Sequence, residues 1–151
     1  MHYYSLTLIF LLLVCSCVTK SNYPSKSPSQ VFDVYVEAVK RNNNQLALSQ
    51  LSKTVYQGIV EDTTPETIDK EFQSVAYFHR LLVKKVSEFE KFQSDNQACL
   101  NINGYNAKQE PMLFNIEFVK EMDQWKLDYI DVEYLFEASD FLTKPSCPIR
   151  D

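Results

Sequence analysis

QACLNINGYNAKQEPMLFNIEFVKEMDQWKLDYIDV, residues 97–132, alternates with a period of two in three successive segments, and that alternation decides the fold. A pleated strand sends neighbouring side chains to opposite faces, so period two marks strands with one face turned to a core. In the first segment Ala98, Leu100 and Ile102 share one face, while Cys99, Asn101 and Asn103 share the other. Residues 106–111 supply turn chemistry, after which Met112, Phe114, Ile116 and Phe118 fall together. A second turn at 121–124 leads to Trp125, Leu127 and Tyr129, expected opposite Lys126, Asp128 and Ile130. These are three antiparallel strands with short connections. VSEFEKFQ, residues 86–93, reads as a fourth strand but alternates poorly, and residues 133–142 extend the last strand or form a short helix. The end of the chain, with Pro145 and Pro148, is expected to be coil.

Upstream of the strands the period changes to that of helices. Ser27-Pro28-Ser29-Gln30 is a capping-box pattern with proline at the first helical position. Val31, Val34, Tyr35, Ala38 and Val39 then recur at steps of three and four, which places them on one face of a helix ending near Asn42. Asn44 is expected to cap a short second helix carrying Leu46, Leu48 and Leu51, and residues 54–64 read as a connection. Thr64-Pro65 opens a third helix with Glu66 and Asp69 near its positive end. Ile68, Phe72, Val75, Ala76, His79, Leu82, Val83 and Val86 form one stripe, so this helix is predicted to run to Leu82 or Lys85.

The first 17 residues, MHYYSLTLIFLLLVCSC, contain an unbroken apolar run at 8–14. A membrane-spanning helix needs about 20 apolar residues, whereas a run this short suits the core of a signal peptide. Val14-Cys15-Ser16-Cys17 resembles the lipobox of bacterial lipoproteins, with an apolar residue three before the cysteine and a small one just before it. Cys17 fits better than Cys15, which would require cleavage after the bulky Val14. The n-region departs from the pattern, since no Lys or Arg precedes the apolar run. The resemblance implies a signal peptide at 1–16 and a lipid on Cys17, such as palmitate. VTKSNYPSKSP, residues 18–28, cannot pack a core, so 17–27 is a tether reaching at most about 35 Å. Two acyl chains anchor stably because each buried methylene contributes about 0.8 kcal/mol. Val18 rather than Asp after the modified cysteine implies the outer membrane, facing the periplasm.

Removal of 16 residues from a chain of 151 leaves one domain's length, residues 28–151 with a C-terminal coil tail. A formal charge of −5 with no basic cluster disfavours nucleic acid as a partner. Helices followed by antiparallel strands predict an α+β fold with N-terminal helices packed on one face of a curved sheet. The order of SPSQVFDVYVEAVKRNN, QLALSQL and the strands ending VKEMDQWKLDYIDV resembles the NTF2-like superfamily, also called cystatin-like or ketosteroid-isomerase-like, over residues 28–135. That resemblance implies a cone-shaped cavity between helices and sheet, and dimerisation through the open sheet face.

Cys99 and Cys147 remain once the leader is set aside, and in an exported chain such a pair reads first as a disulfide. Closing 48 positions would stabilise by up to about 4 kcal/mol and pin the tail to the sheet. Two independent thiols fit less well, since Cys99 alternates with Asn101 and faces away from the Leu100 side, and a metal site fits less well still, since no Cys or His pair has ligand spacing. His79 is the candidate cavity residue. It is either an acid or base facing the cone, a core histidine bonded to the backbone, or a solvated residue past the helix end. Isomerase-type members of the superfamily use a carboxylate base with a Tyr or acid donor, for which Asp128, Tyr129 and Asp131 are available here, although alternation turns Asp128 outward. Hydrolase and nucleotide signatures are absent, no catalytic set stands out, and no cofactor is implied. The expected function is a noncatalytic, lipid-tethered envelope module that binds a protein partner or a small apolar ligand, an immunity or inhibitor protein being one concrete form. The alternative is a small isomerase or dehydratase-like enzyme using the cavity.

Overall fold

A computed structural model describes residues 25–147 except 62 and 65. The expected leader at 1–16, Cys17 as the expected lipidation site, most of the expected tether, Pro65 and Pro148 lie outside the described residues. The elements in order are α1 (Pro28–Lys40), α2 (Asn44–Leu48), α3 (Lys53–Val60), α4 (Ile68–Val75), a 3₁₀ turn (Phe78–Leu81), β1 (Lys84–Ser94), β2 (Gln97–Tyr105), β3 (Pro111–Glu121), β4 (Gln124–Tyr134) and a second 3₁₀ turn (Ala138–Asp140). The protein is α+β, with an antiparallel sheet in the order β1-β2-β3-β4.

The start and stop of α1 follow from its sequence. Ser27 and Gln30 exchange the two bonds of a capping box, and Pro28 occupies the first turn. At the other end Asn42 takes a positive φ, which lets the Asn43 N–H reach the Ala38 carbonyl and the Asn42 N–H reach that of Val39. Val31, Phe32, Tyr35, Ala38 and Val39 are buried. They meet Ala98, Leu100 and Ile102 of β2 and Met112, Phe114, Ile116 and Phe118 of β3 in one core, with the helices on a single face of the sheet.

Three expectations are corrected. Residues 54–64 contain a helix, α3, capped by the Ser52 hydroxyl on the Val55 N–H. The second helix is capped by Asn43 rather than Asn44, through its side chain on the Leu46 N–H. The third predicted helix stops at Val75, because Val83 donates to Tyr105 and the chain from Lys84 is drawn into the sheet. Phe72, Ala76, His79 and Leu82 of its stripe are buried, whereas Val75, Val83 and Val86 are exposed.

The face of β2 that carries Cys99, Asn101 and Asn103 is also buried, against the expectation of a strand wet on one side. The tail returns across it. Cys99 and Cys147 are joined, with Cα atoms 5.4 Å apart. Asn101 Oδ1 accepts from the Ser146 N–H at 2.8 Å, and Asn103 both donates to the Leu142 carbonyl and accepts from its N–H. Asn101 also donates to Asn115, which donates to Glu133, so the polar side chains are satisfied across three strands.

Gly104 sets how closely the 3₁₀ turn approaches β2. A Cβ there would meet Leu82 Cδ1 and lie 2.6 Å from the Lys84 carbonyl oxygen, a backbone atom held by the sheet. Gly104→Ala is expected to destabilise by about 2 kcal/mol, in the range for overpacking a filled site. Urea denaturation measures it, and an unchanged midpoint would contradict the contact.

Candidate functional site

The site begins with a correction in β4. Phe118 pairs with Leu127 but Glu117 pairs with Tyr129, so Asp128 is an extra residue, a β-bulge. Strict alternation would have put Tyr129 inside and Ile130 outside. Past the bulge the order reverses, and Ile130 and Val132 pack on the core while Tyr129 is 40% exposed. The segment 50–52 lies against the strand at the same place. Leu127 donates to the Gln50 carbonyl and its own carbonyl accepts from Ser52. The Ser52 hydroxyl, besides capping α3, donates to Asp128 Oδ1 at 2.7 Å. Asp128 is therefore directed by the bulge and by Ser52 rather than turned to solvent.

Facing it across the interior, Tyr35 of α1 and His79 of the first 3₁₀ turn form a buried pair, with the Tyr35 hydroxyl 2.7 Å from His79 Nδ1. The turn is held to α1 a second time by Lys40 Nζ, which donates to the Leu82 carbonyl at 3.0 Å. Two clamps of this kind fix the imidazole even though no α-helix continues through it. Burial lowers the His79 pKa to about 4 and pushes the Tyr35 hydroxyl well above its ordinary value, so both groups are neutral at physiological pH. Phe72 stands edge-on to the Tyr35 ring, with centroids 6.5 Å apart.

These elements enclose a cavity of about 210 Å³. Leu51, Val55, Ile59, Phe72, Leu127 and Ile130 supply apolar walls, and Tyr35, His79 and Asp128 supply polar groups. Val75, 52% exposed, and Tyr129 also line it, so the cavity communicates with the surface beside them. Apolar walls with a few convergent polar groups are the usual make-up of a small-molecule site. A larger depression of about 810 Å³ runs beside α1, but its charges serve one another. Lys85 pairs with Asp33 and Glu88, and Arg41 with Glu37.

Of the residues singled out from sequence, His79, Tyr129 and Asp128 meet at the cavity, and Cys99 and Cys147 meet on the opposite side of the sheet. Asp131 pairs with Asn115 on the outer face and does not line the cavity. Tyr35 and Ser52 went unrecognised as site residues. Tyr35 carried the signal of a hydroxyl on a wholly apolar helix face, where a buried Tyr needs a partner. Among the described residues no cluster of His, Cys, Asp and Glu is placed to hold a metal, and no helix is long and apolar enough to cross a membrane. No family model matches the chain, and no curated protein matches it.

Proposed function

We propose that this protein is a lipid-anchored bacterial envelope module of NTF2-like type, held through Cys17 on the periplasmic side of the outer membrane, which binds a small apolar ligand without transforming it. The observation that carries the binding reading is the 210 Å³ cavity whose walls are apolar and whose mouth opens beside Val75 and Tyr129. Helices on one face of an antiparallel sheet support the superfamily reading. The exported setting is supported by the Cys99–Cys147 disulfide together with the lipobox-like leader.

Tyr35, His79 and Asp128 in one cavity are the observation that bears on the isomerase-like alternative, since a base beside a hydroxyl donor is the minimum for proton transfer. The chemistry of the pair weighs against it. An imidazole with a pKa near 4 is a weak base at neutral pH, and the Tyr35 hydroxyl is already committed to it. The arrangement suits fixed hydrogen bonding better than proton abstraction.

Two measurements test the proposal. Intact mass of protein recovered from native membranes should show acylated Cys17, and an unmodified Cys17 removes the anchor. In a titration of the full chain with ethylbenzene, the NMR signals of the Leu51, Val55 and Ile59 methyls should shift. The variant Val75→Trp, at the exposed mouth, should abolish those shifts while leaving the fold intact. Methyls that do not respond in the wild type would end the cavity reading.

A further inference from the structure

We infer that the cavity selects an uncharged molecule about the size of a single substituted ring that carries one hydrogen-bond acceptor, and that His79 holds this acceptor through its Nε2–H, with Tyr35 as the positioning residue. The inference rests on the proposed reading of the cavity as a ligand site and adds the chemistry of what fills it.

The tautomer follows from the partners. A protonated, buried hydroxyl must donate somewhere, and His79 Nδ1 is the hydrogen-bond partner of the Tyr35 hydroxyl. Tyr35 therefore donates, Nδ1 accepts, and the imidazole proton sits on Nε2. His79 is only 8% exposed, and Nε2 has no hydrogen-bond partner among the described residues. Arg80 Nε is the one fully enclosed side-chain polar atom there that lacks a partner, so Nε2 is not sealed in protein. The space His79 lines is the cavity, and Nε2–H is the donor it offers. A donor without a protein partner, set among apolar walls, favours a ligand that supplies the missing acceptor.

Size and charge narrow the class. An apolar cavity of about 150 Å³ accommodates benzene. At 210 Å³ this one has room for a ring with a short substituent. Among the described residues no Lys or Arg lines it, so a carboxylate or phosphate would bring a negative charge into apolar surroundings with no cation from them to meet it.

The test uses three probes of nearly equal volume on the full chain: ethylbenzene, acetophenone and benzoate, followed through the Leu51, Val55 and Ile59 methyls. Acetophenone should bind about threefold to tenfold more tightly than ethylbenzene, the ratio expected for one hydrogen bond. Benzoate should bind at least about tenfold more weakly than acetophenone, given the cost of a buried unpaired charge. The ¹⁵N shifts of the imidazole should report the proton on Nε2. Tyr35→Phe, which releases the imidazole from its hydrogen bond but keeps the ring, should reduce the preference for acetophenone. Ethylbenzene binding as well as acetophenone, benzoate binding equally, or a proton found on Nδ1 would each overturn this inference and leave the cavity reading standing. If none of the three probes moves a cavity methyl, the cavity reading fails first and the inference falls with it.

Discussion

Removing the Cys99–Cys147 disulfide, by the paired substitution Cys99→Ala with Cys147→Ala, should lower the stability of the protein by up to about 4 kcal/mol. The magnitude comes from the unfolded chain, where a crosslink spanning 48 positions suppresses conformations the open chain would sample. The folded side has its own consequence. Residues 142–147 lie on the sheet through the Asn101 and Asn103 side chains and the disulfide. Each of those hydrogen bonds is worth only about 1 kcal/mol, and ordering one residue's backbone costs a comparable amount. Without the crosslink the tail should therefore detach while the rest stays folded. Hydrogen exchange would then show fast amides at Leu142 and Ser146 beside fully protected amides at Leu100 and Ile102, which pair with β1 and β3. Asn101 and Asn103 would gain water in place of the tail, so no buried polar group is orphaned and the sheet has no reason to unravel. A loss under about 1 kcal/mol, with the tail amides as protected as before, would mean the polar contacts alone hold the tail.

What could be read from the chain divides by the range of the forces involved. The capping box at Ser27, the stop near Asn42, and the inner faces of β2 and β3 are set by neighbours within a few residues, and pattern alone finds them. The failures have distant causes. Asp128 was turned outward by strict alternation, because the bulge that turns it inward is fixed by residues 50–52, far back in the chain. The stripe from Ile68 to Val86 has a good helical period, yet pairing with Tyr105 pulls its last part into extended structure. Helix α3 was missed for a local reason of the opposite sign. Thr54, Val55, Ile59 and Val60 are β-branched and Gly58 interrupts them, so intrinsic propensity is poor, and the helix exists by its Ser52 cap and the packing of Val55 and Ile59 on the core. Of the cavity groups His79 was legible because a lone imidazole on an apolar stripe is conspicuous. Nothing in the sequence marks its partner Tyr35 as more than packing, since a helical period does not tell which buried hydroxyl will find which nitrogen.

Acid should destabilise this protein through His79 well before its ordinary carboxylates are protonated. An imidazole in the unfolded chain has a pKa near 6.5, and burial brings it to about 4 in the folded protein. Between those values the unfolded state takes up a proton that the folded state refuses, so the stability present above pH 6.5 is lost as pH falls and the loss is complete below pH 4. A gap of this size corresponds to about 3 kcal/mol. The ionisable groups that face the imidazole do not cancel the effect. Tyr35 stays protonated throughout, and Asp128 and Tyr129, which line the same cavity, are present in wild type and in a His79 variant alike. Glu88 and Glu90, with pKa values shifted down and up, titrate on β1 and contribute equally to wild type and to a His79 variant. The comparison that isolates His79 is thus wild type against His79→Gln, whose amide keeps a polar atom near Tyr35 but does not titrate. Stability measured by urea denaturation at pH 7 and at pH 4 should fall by about 3 kcal/mol more in the wild type than in the variant. Protonation would also take away the acceptor lone pair on Nδ1, so the Tyr35 hydroxyl would lose the acceptor for its proton, while the Nε2–H would remain a donor. An NMR titration of the folded protein places the midpoint directly. A value above 6 would mean that the imidazole is solvated, and the buried Tyr35–His79 pair on which the cavity chemistry depends would have to be abandoned.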